Sequence, residues 1–253
     1  MTDVKSLIAG LITRRISESV ATTAPMNVSV MKSQASKTTS FYLTPGRVMK
    51  FTFGLVIVSI GLLILTPFPN YLPPDFDRGF LRNKAEFFYP SGYFIGFYAH
   101  ILTAPVALLI GTMQLSSTVR THSPRLHRNL GRIYVALALL GVAPGGLVMA
   151  MRSYGGISSV ICFGLISISL WVTTWIGWRR ARAMRFREHA QWMCRSYTLM
   201  CSAIFLRMIS FGFSHLNMDH TFAYQLSAWL SWVPAMLILE AFLSRQNPTP
   251  VRI

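Results

Sequence analysis

Long apolar runs separated by short basic stretches set the pattern of this chain. A helix that crosses a bilayer needs about 20 mostly apolar residues. Six segments come close to or meet that: 50–66, 92–115, 129–151, 157–178, 193–213 and 222–243. Pro67 and Pro69 stop the first of them. Pro105, Pro144 and Pro234 fall inside the second, third and sixth, and Gly145 and Gly146 follow the middle one. Packed membrane helices tolerate such breaks because neighbouring groups satisfy the freed carbonyls. The pattern predicts an all-α integral membrane bundle of six transmembrane helices.

Composition supports this reading and excludes a soluble domain. Hydrophobic residues make up 52% of the 253 and charged ones only 13%, where a soluble domain carries about a quarter charged. A soluble fold of this length has too little interior to hide that much apolar surface. The 24 Lys and Arg outnumber the 8 Asp and Glu, for a net charge of +16. Such an excess first suggests nucleic acid, but its placement argues otherwise. Lys5, Arg14, Arg15, Lys32, Lys37, Arg47 and Lys50 precede the first span. Arg120, Arg125, Arg128 and Arg132 flank the start of the third, and Arg179, Arg180, Arg182, Arg185 and Arg187 lie between the fourth and fifth. On the other side, Arg78, Arg82 and Lys84 are offset by Asp75, Asp77 and Glu86, and Arg152 stands alone after the third span. The positive-inside rule then places both termini and the two basic loops in the cytoplasm. The expected partner is the lipid bilayer, with no nucleic acid, and the expected location is a bacterial inner membrane.

Three regions follow. Residues 1–47, rich in Ser, Thr and Lys, are expected to be a disordered basic segment. Residues 48–245 form the six-helix domain and 246–253 a short tail. Residues 7–11 are too short an apolar stretch for a convincing signal peptide. Cys162, Cys194 and Cys201 fall in or beside spans, an odd number with no zinc spacing, and read as packing residues.

Ionisable groups inside a membrane are costly and mark candidate sites. His100 lies eight residues into the second span, about 12 Å deep at 1.5 Å per residue. Arg207 lies six residues from the outer end of the fifth, about 9 Å deep. Their matching depths suggest a shared polar pocket; the plainer alternatives are a core histidine and an arginine that snorkels outward. His100, Ala104, Ala107, Gly111 and Gln114 are spaced four, three, four and three, along one helix face. That stripe serves either close helix packing or a groove for a flat, lipid-soluble ring. At the inner interface, His127, Gly131 and Tyr134 share one face as the third span opens, and His189 opens the fifth. A histidine followed one turn later by glycine suits haem: imidazole ligates the iron and the missing side chain admits the porphyrin edge. A plainer reading is that these histidines meet lipid headgroups, as His122 does. Trp171, Trp175, Trp178 and Trp192 read as an interfacial belt. His215, Asp219 and His220 could make a weak metal site.

The runs Gly111-Thr-Met-Gln-Leu, His127-Arg-Asn-Leu-Gly-Arg-Ile-Tyr and His189-Ala-Gln-Trp-Met-Cys-Arg-Ser-Tyr, with His100 and Arg207, resemble the multi-pass membrane family called domain of unknown function 2306. The resemblance covers about residues 90–215 and implies a membrane helical bundle without an assigned substrate. The layout is more loosely similar to di-haem b-type membrane cytochromes. That similarity implies one inner bis-histidine site, His127 and His189, and no matching outer one, because His100 faces no histidine on the fourth span. The resulting expectation is a redox protein with one haem b, working with a respiratory-chain or other redox partner. Gln114, His100 and Arg207 would line a site for a quinone-like molecule, with Arg207 stabilising developing negative charge and His100 passing a proton. The alternatives are a proton-coupled anion transporter and a non-catalytic assembly subunit.

Overall fold

The computed structural model describes residues 68–246 except 78, 83 and 217, together with residues 54, 55, 58, 59 and 62. The basic segment 1–47, most of the expected span 50–66 and the tail beyond 246 lie outside the described residues. Within them the chain is helical, and five helices are long and apolar enough to cross a membrane. These are α1 (Tyr93–Gln114), α2 (Pro124–Ala150), α3 (Gly156–Arg182), α4 (Phe186–Phe213) and α5 (His220–Gln246). They correspond in order to the second to sixth spans expected from the sequence.

Burial follows the logic of a lipid solvent. Leu140, Ile157 and Ile238 are 79%, 74% and 71% exposed, which water would penalise and acyl chains do not. Ser159, Thr174, Ser196 and Ser227 are fully buried. Small residues inside let helix backbones approach closely where no hydrophobic force drives association.

Three helices run past their apolar windows. α2 begins at Pro124, five residues before the expected start; α3 continues to Arg182, and α4 starts at Phe186. The apolar run measures bilayer thickness, whereas the helix continues into Arg-rich turns whose long side chains reach water. Only residues 183–185 join α3 to α4. Met184 takes the left-handed conformation there (φ 58°), and Arg185 N–H donates to Arg180 O at 2.9 Å. The resulting hairpin sets α3 and α4 side by side.

The prolines act where the helices change character. α2 opens into a π-helical turn at Ala138–Val142 just before Pro144, which lacks an N–H to donate. α5 is interrupted after Leu230 and restarts at Val233, with Pro234 in the first turn of its second half, where no donor is needed. Pro105 is accommodated inside α1.

Two cores result. One joins Ala107 of α1, Tyr134 and Ala138 of α2, Leu170 of α3, and Leu199 and Ile204 of α4. The other is aromatic and closes the Arg152 end of the bundle. There Phe88, in a short helix at Ala85–Phe88, meets Phe76, Phe97 and Tyr98 at ring centroids 5.2–6.1 Å apart. The charge-balanced loop at 68–91 is thus also a packed cap.

Candidate functional site

The first polar cluster is built by the breach in α2. His100 on α1 points its Nδ1 at the Val142 carbonyl, 2.8 Å away. A carbonyl can only accept, so the proton sits on Nδ1 and Nε2 is left free. Gly145 and Gly146 make room for the ring. A Cβ at Gly146 would stand 2.8 Å from Ser167 Oγ and 3.2 Å from His100 Nδ1. The Pro144-Gly145-Gly146 break thus seats the imidazole between α1 and α2.

Arg207 lies on α4. Its Nη1 donates to Ala203 O at 2.8 Å, one turn back toward the middle of α4 and away from the nearer end at Phe213. An arginine snorkelling to the closer interface would turn the other way. Among the described residues no carboxylate lies within ion-pair distance of Arg207. Two buried hydroxyls at this end, Tyr93 and Ser159, have no hydrogen-bond partner among the described residues. Ser159 and the Tyr224 ring both lie against Gly155. His100 is thus seated between α1 and α2, while Arg207 bonds back to its own helix.

Gln114 does not belong to this cluster. Fourteen residues along α1 put it about 21 Å from His100, and its Nε2 donates to His127 O at 3.0 Å. It belongs to a second cluster at the basic end. His189 on α4 donates from Nδ1 to Gly177 O of α3 at 2.8 Å, again leaving Nε2 free. His127 lies on α2, and its buried Nδ1 has no partner among the described residues. Imidazoles are chemically suited to hold an iron, and one of the two here has its tautomer fixed by a carbonyl. Gly131 faces Gln114, whose Oε1 would lie 3.7 Å from an added Cβ. The amide therefore occupies the space beside the glycine, and a flat ring would need it to swing away.

Tyr134 is drawn into the core instead. Its hydroxyl donates to Ser196 Oγ (2.9 Å), Ser196 to Thr174 Oγ1 (2.7 Å), and Thr174 to Leu170 O (2.7 Å). This ordered relay ties α2, α4 and α3 together. Gly111, in the small-residue stripe, is packed against the Tyr197 ring, and Tyr197 bonds Thr112 Oγ1 at 2.6 Å. At that position the stripe serves helix packing rather than an open groove.

The metal site suggested by His215, Asp219 and His220 is not formed. Among the described residues no three His, Cys, Asp or Glu side chains gather to hold an ion. Asp219 instead caps α5, its Oδ1 accepting from Phe222 N–H at 2.8 Å, the ordinary role of Asp at a helix start. His215 stacks edge-on against Phe211, 4.9 Å between centroids. Trp171, Trp175 and Trp178 form a ladder down α3 with centroids 5.6 and 5.0 Å apart, closed by Arg182 over Trp178.

Comparison with known families places these clusters in context. The family described as predicted membrane protein (DUF2306) matches residues 97–243. The match starts inside α1, ends inside α5, and spans more than half of the chain. The chain belongs to the DUF2306 family. No curated protein and no solved structure matches it.

The DUF2306 region contains His100, Arg207, Gln114, Gly131, Tyr134, His127 and His189, while Tyr71 and Tyr93 precede it. It also contains a pair the sequence reading missed. Arg195 of α4 donates from Nε (2.5 Å) and Nη2 (2.7 Å) to the two carboxylate oxygens of Glu240 on α5. Arg195 also lies over the Trp192 ring, 4.7 Å from its centroid. Glu240 is an acidic residue inside an otherwise apolar span, and that oddity was the available signal. Glu240→Gln should lower stability by up to about 1 kcal/mol, the scale of a partly exposed ion pair. Thermal unfolding in detergent checks this, and Arg195→Lys should recover only part of the pairing because it lacks the planar fork.

Proposed function

We propose that this membrane protein is a redox carrier that holds one b-type haem at its basic end and a quinone-like molecule near His100 and Arg207. What supports the reading is a histidine on each of two helices at the basic end, the His189 Nδ1 proton committed to Gly177 O and the buried His127 Nδ1 without a partner among the described residues. His127 and His189 would hold the group through their imidazoles. When bound, haem supplies one-electron chemistry. Gln114 would swing from the His127 carbonyl to clear the space beside Gly131, which would border that site.

At the other cluster the chain's own residues do the work. The Arg207 guanidinium is suited to hold a carbonyl or anionic oxygen in a low-dielectric setting, where charge stabilisation is strongest. The free Nε2 of His100 can accept a proton, and the unpartnered hydroxyls of Tyr93 and Ser159 supply further donors. A groove lined by Pro144, Leu147, Ser167 and Trp171 would serve as a route for a lipid-soluble ring.

The test is binding of a short-chain quinone to the purified chain, followed by quenching of its tryptophans. Arg207→Gln should weaken binding by roughly tenfold or more, the scale of one charged hydrogen bond, with helical content unchanged. Equal binding by both proteins rules out the Arg207 role. A second reading, proton-coupled anion transport, draws on the same Arg207–His100 neighbourhood. A pH-dependent anion flux in proteoliposomes that His100→Ala abolishes would favour it.

A further inference from the structure

The strongest unassigned feature lies outside both clusters, at the Arg152 end of the bundle. A cavity of about 480 Å³ opens there between the 68–91 loop and the start of α3. Arg82, Lys84 and Arg152 line it. In sequence they are scattered, two in a charge-balanced loop and one in the connection after α2. The fold gathers them.

Their acidic neighbours do not neutralise them. Among the described residues no carboxylate lies within ion-pair distance of the three, although Glu86 is two residues from Lys84. Arg152 is held over the Phe87 ring at 5.0 Å and Lys84 over Phe80 at 4.7 Å, so both cations are oriented by aromatic faces. Burial holds the Lys84 ammonium below its ordinary pKa. Ser153 lines the same cavity, and its buried hydroxyl has no partner among the described residues.

The remaining wall is apolar. Met151 and Ile157 are 67% and 74% exposed, and Val160 follows Ile157 by one helical turn. This strip runs along α3 from its first residue into the span. A cationic recess at a span end, continued by an apolar strip directed into the bilayer, matches a molecule with an anionic head and an acyl tail. A free anion would leave the apolar strip unused. We propose that this cavity seats the phosphate headgroup of an anionic phospholipid, with an acyl chain lying along Ile157 and Val160.

The test is native mass spectrometry of the full-length chain, titrated separately with phosphatidylglycerol, phosphatidylcholine and inorganic phosphate. Phosphatidylglycerol should bind in preference to the other two. Arg82→Gln with Arg152→Gln should weaken it by roughly thirtyfold, the combined effect of two interfacial cations. Arg82→Lys with Arg152→Lys, which keeps both charges, should retain most of the binding and shows that the cavity tolerates substitution. Arg120→Gln with Arg125→Gln, which removes the same charge at the opposite end, should leave the affinity near its starting value. Equal loss in that control, no preference over phosphatidylcholine, or phosphate alone binding as tightly would each overturn the proposal.

Discussion

Gly145→Ala should destabilise the bundle by about 1–3 kcal/mol or more, the cost of overpacking a close-packed interior. The added methyl would strike the backbone carbonyl of Gly96 and come within 2.8 Å of His100 N and 2.9 Å of His100 Cβ. Two of these neighbours are backbone atoms of α1, which cannot turn aside as a flexible side chain would. The helices must separate, and the His100–Val142 contact lengthens with them. Gly164→Ala is the matched control: nothing lies within 4 Å of its Cβ position, and alanine is favoured in a helix by about 1 kcal/mol. Unfolding of the two variants in detergent should move in opposite directions. If Gly145→Ala is as stable as Gly164→Ala, α1 and α2 are not in the close register described.

His189→Ala should abolish haem absorption while leaving the helices in place. The substitution removes one proposed iron ligand and its hydrogen bond to Gly177 O. That bond contributes about 1 kcal/mol, too little to unfold a bundle whose other α3–α4 contacts remain. His127→Ala should have the same spectral effect. His100→Ala should retain the absorption, because about 27 residues of α1 and the following turn separate it in sequence from His127 and it sits at the other cluster. Loss of the band in His100→Ala but not in His189→Ala would transfer the ligand role to the wrong end.

Much of this was legible before any coordinates. The five described spans follow the apolar runs in order, because a bilayer sets a minimum length that few soluble helices meet. His100 and Arg207 could be given similar depths, since a straight helix converts residue number into distance. The ends were less legible: α2, α3 and α4 continue into turns whose arginines break the apolar signal without breaking the helix. Gln114 shares a helix face with His100, yet lies with His127, because a shared face carries no information about the partner at each end. Tyr134 looked like a ligand-site residue by spacing, and its hydroxyl instead starts the relay to Ser196 and Thr174. Pairwise side-chain bonds across helices depend on rotation about each axis, which a single sequence does not encode. The aromatic cap around Phe88 was not read from the sequence, where that loop was weighed only for its offsetting charges.

Haem content per chain tests the central claim most directly. The full chain is expressed in haem-supplemented cells, purified, and its haem quantified against protein by the alkaline pyridine spectrum. One haem b per chain, lost in both His127→Ala and His189→Ala, is the predicted result. A purified, folded chain with no Soret absorption would contradict the account.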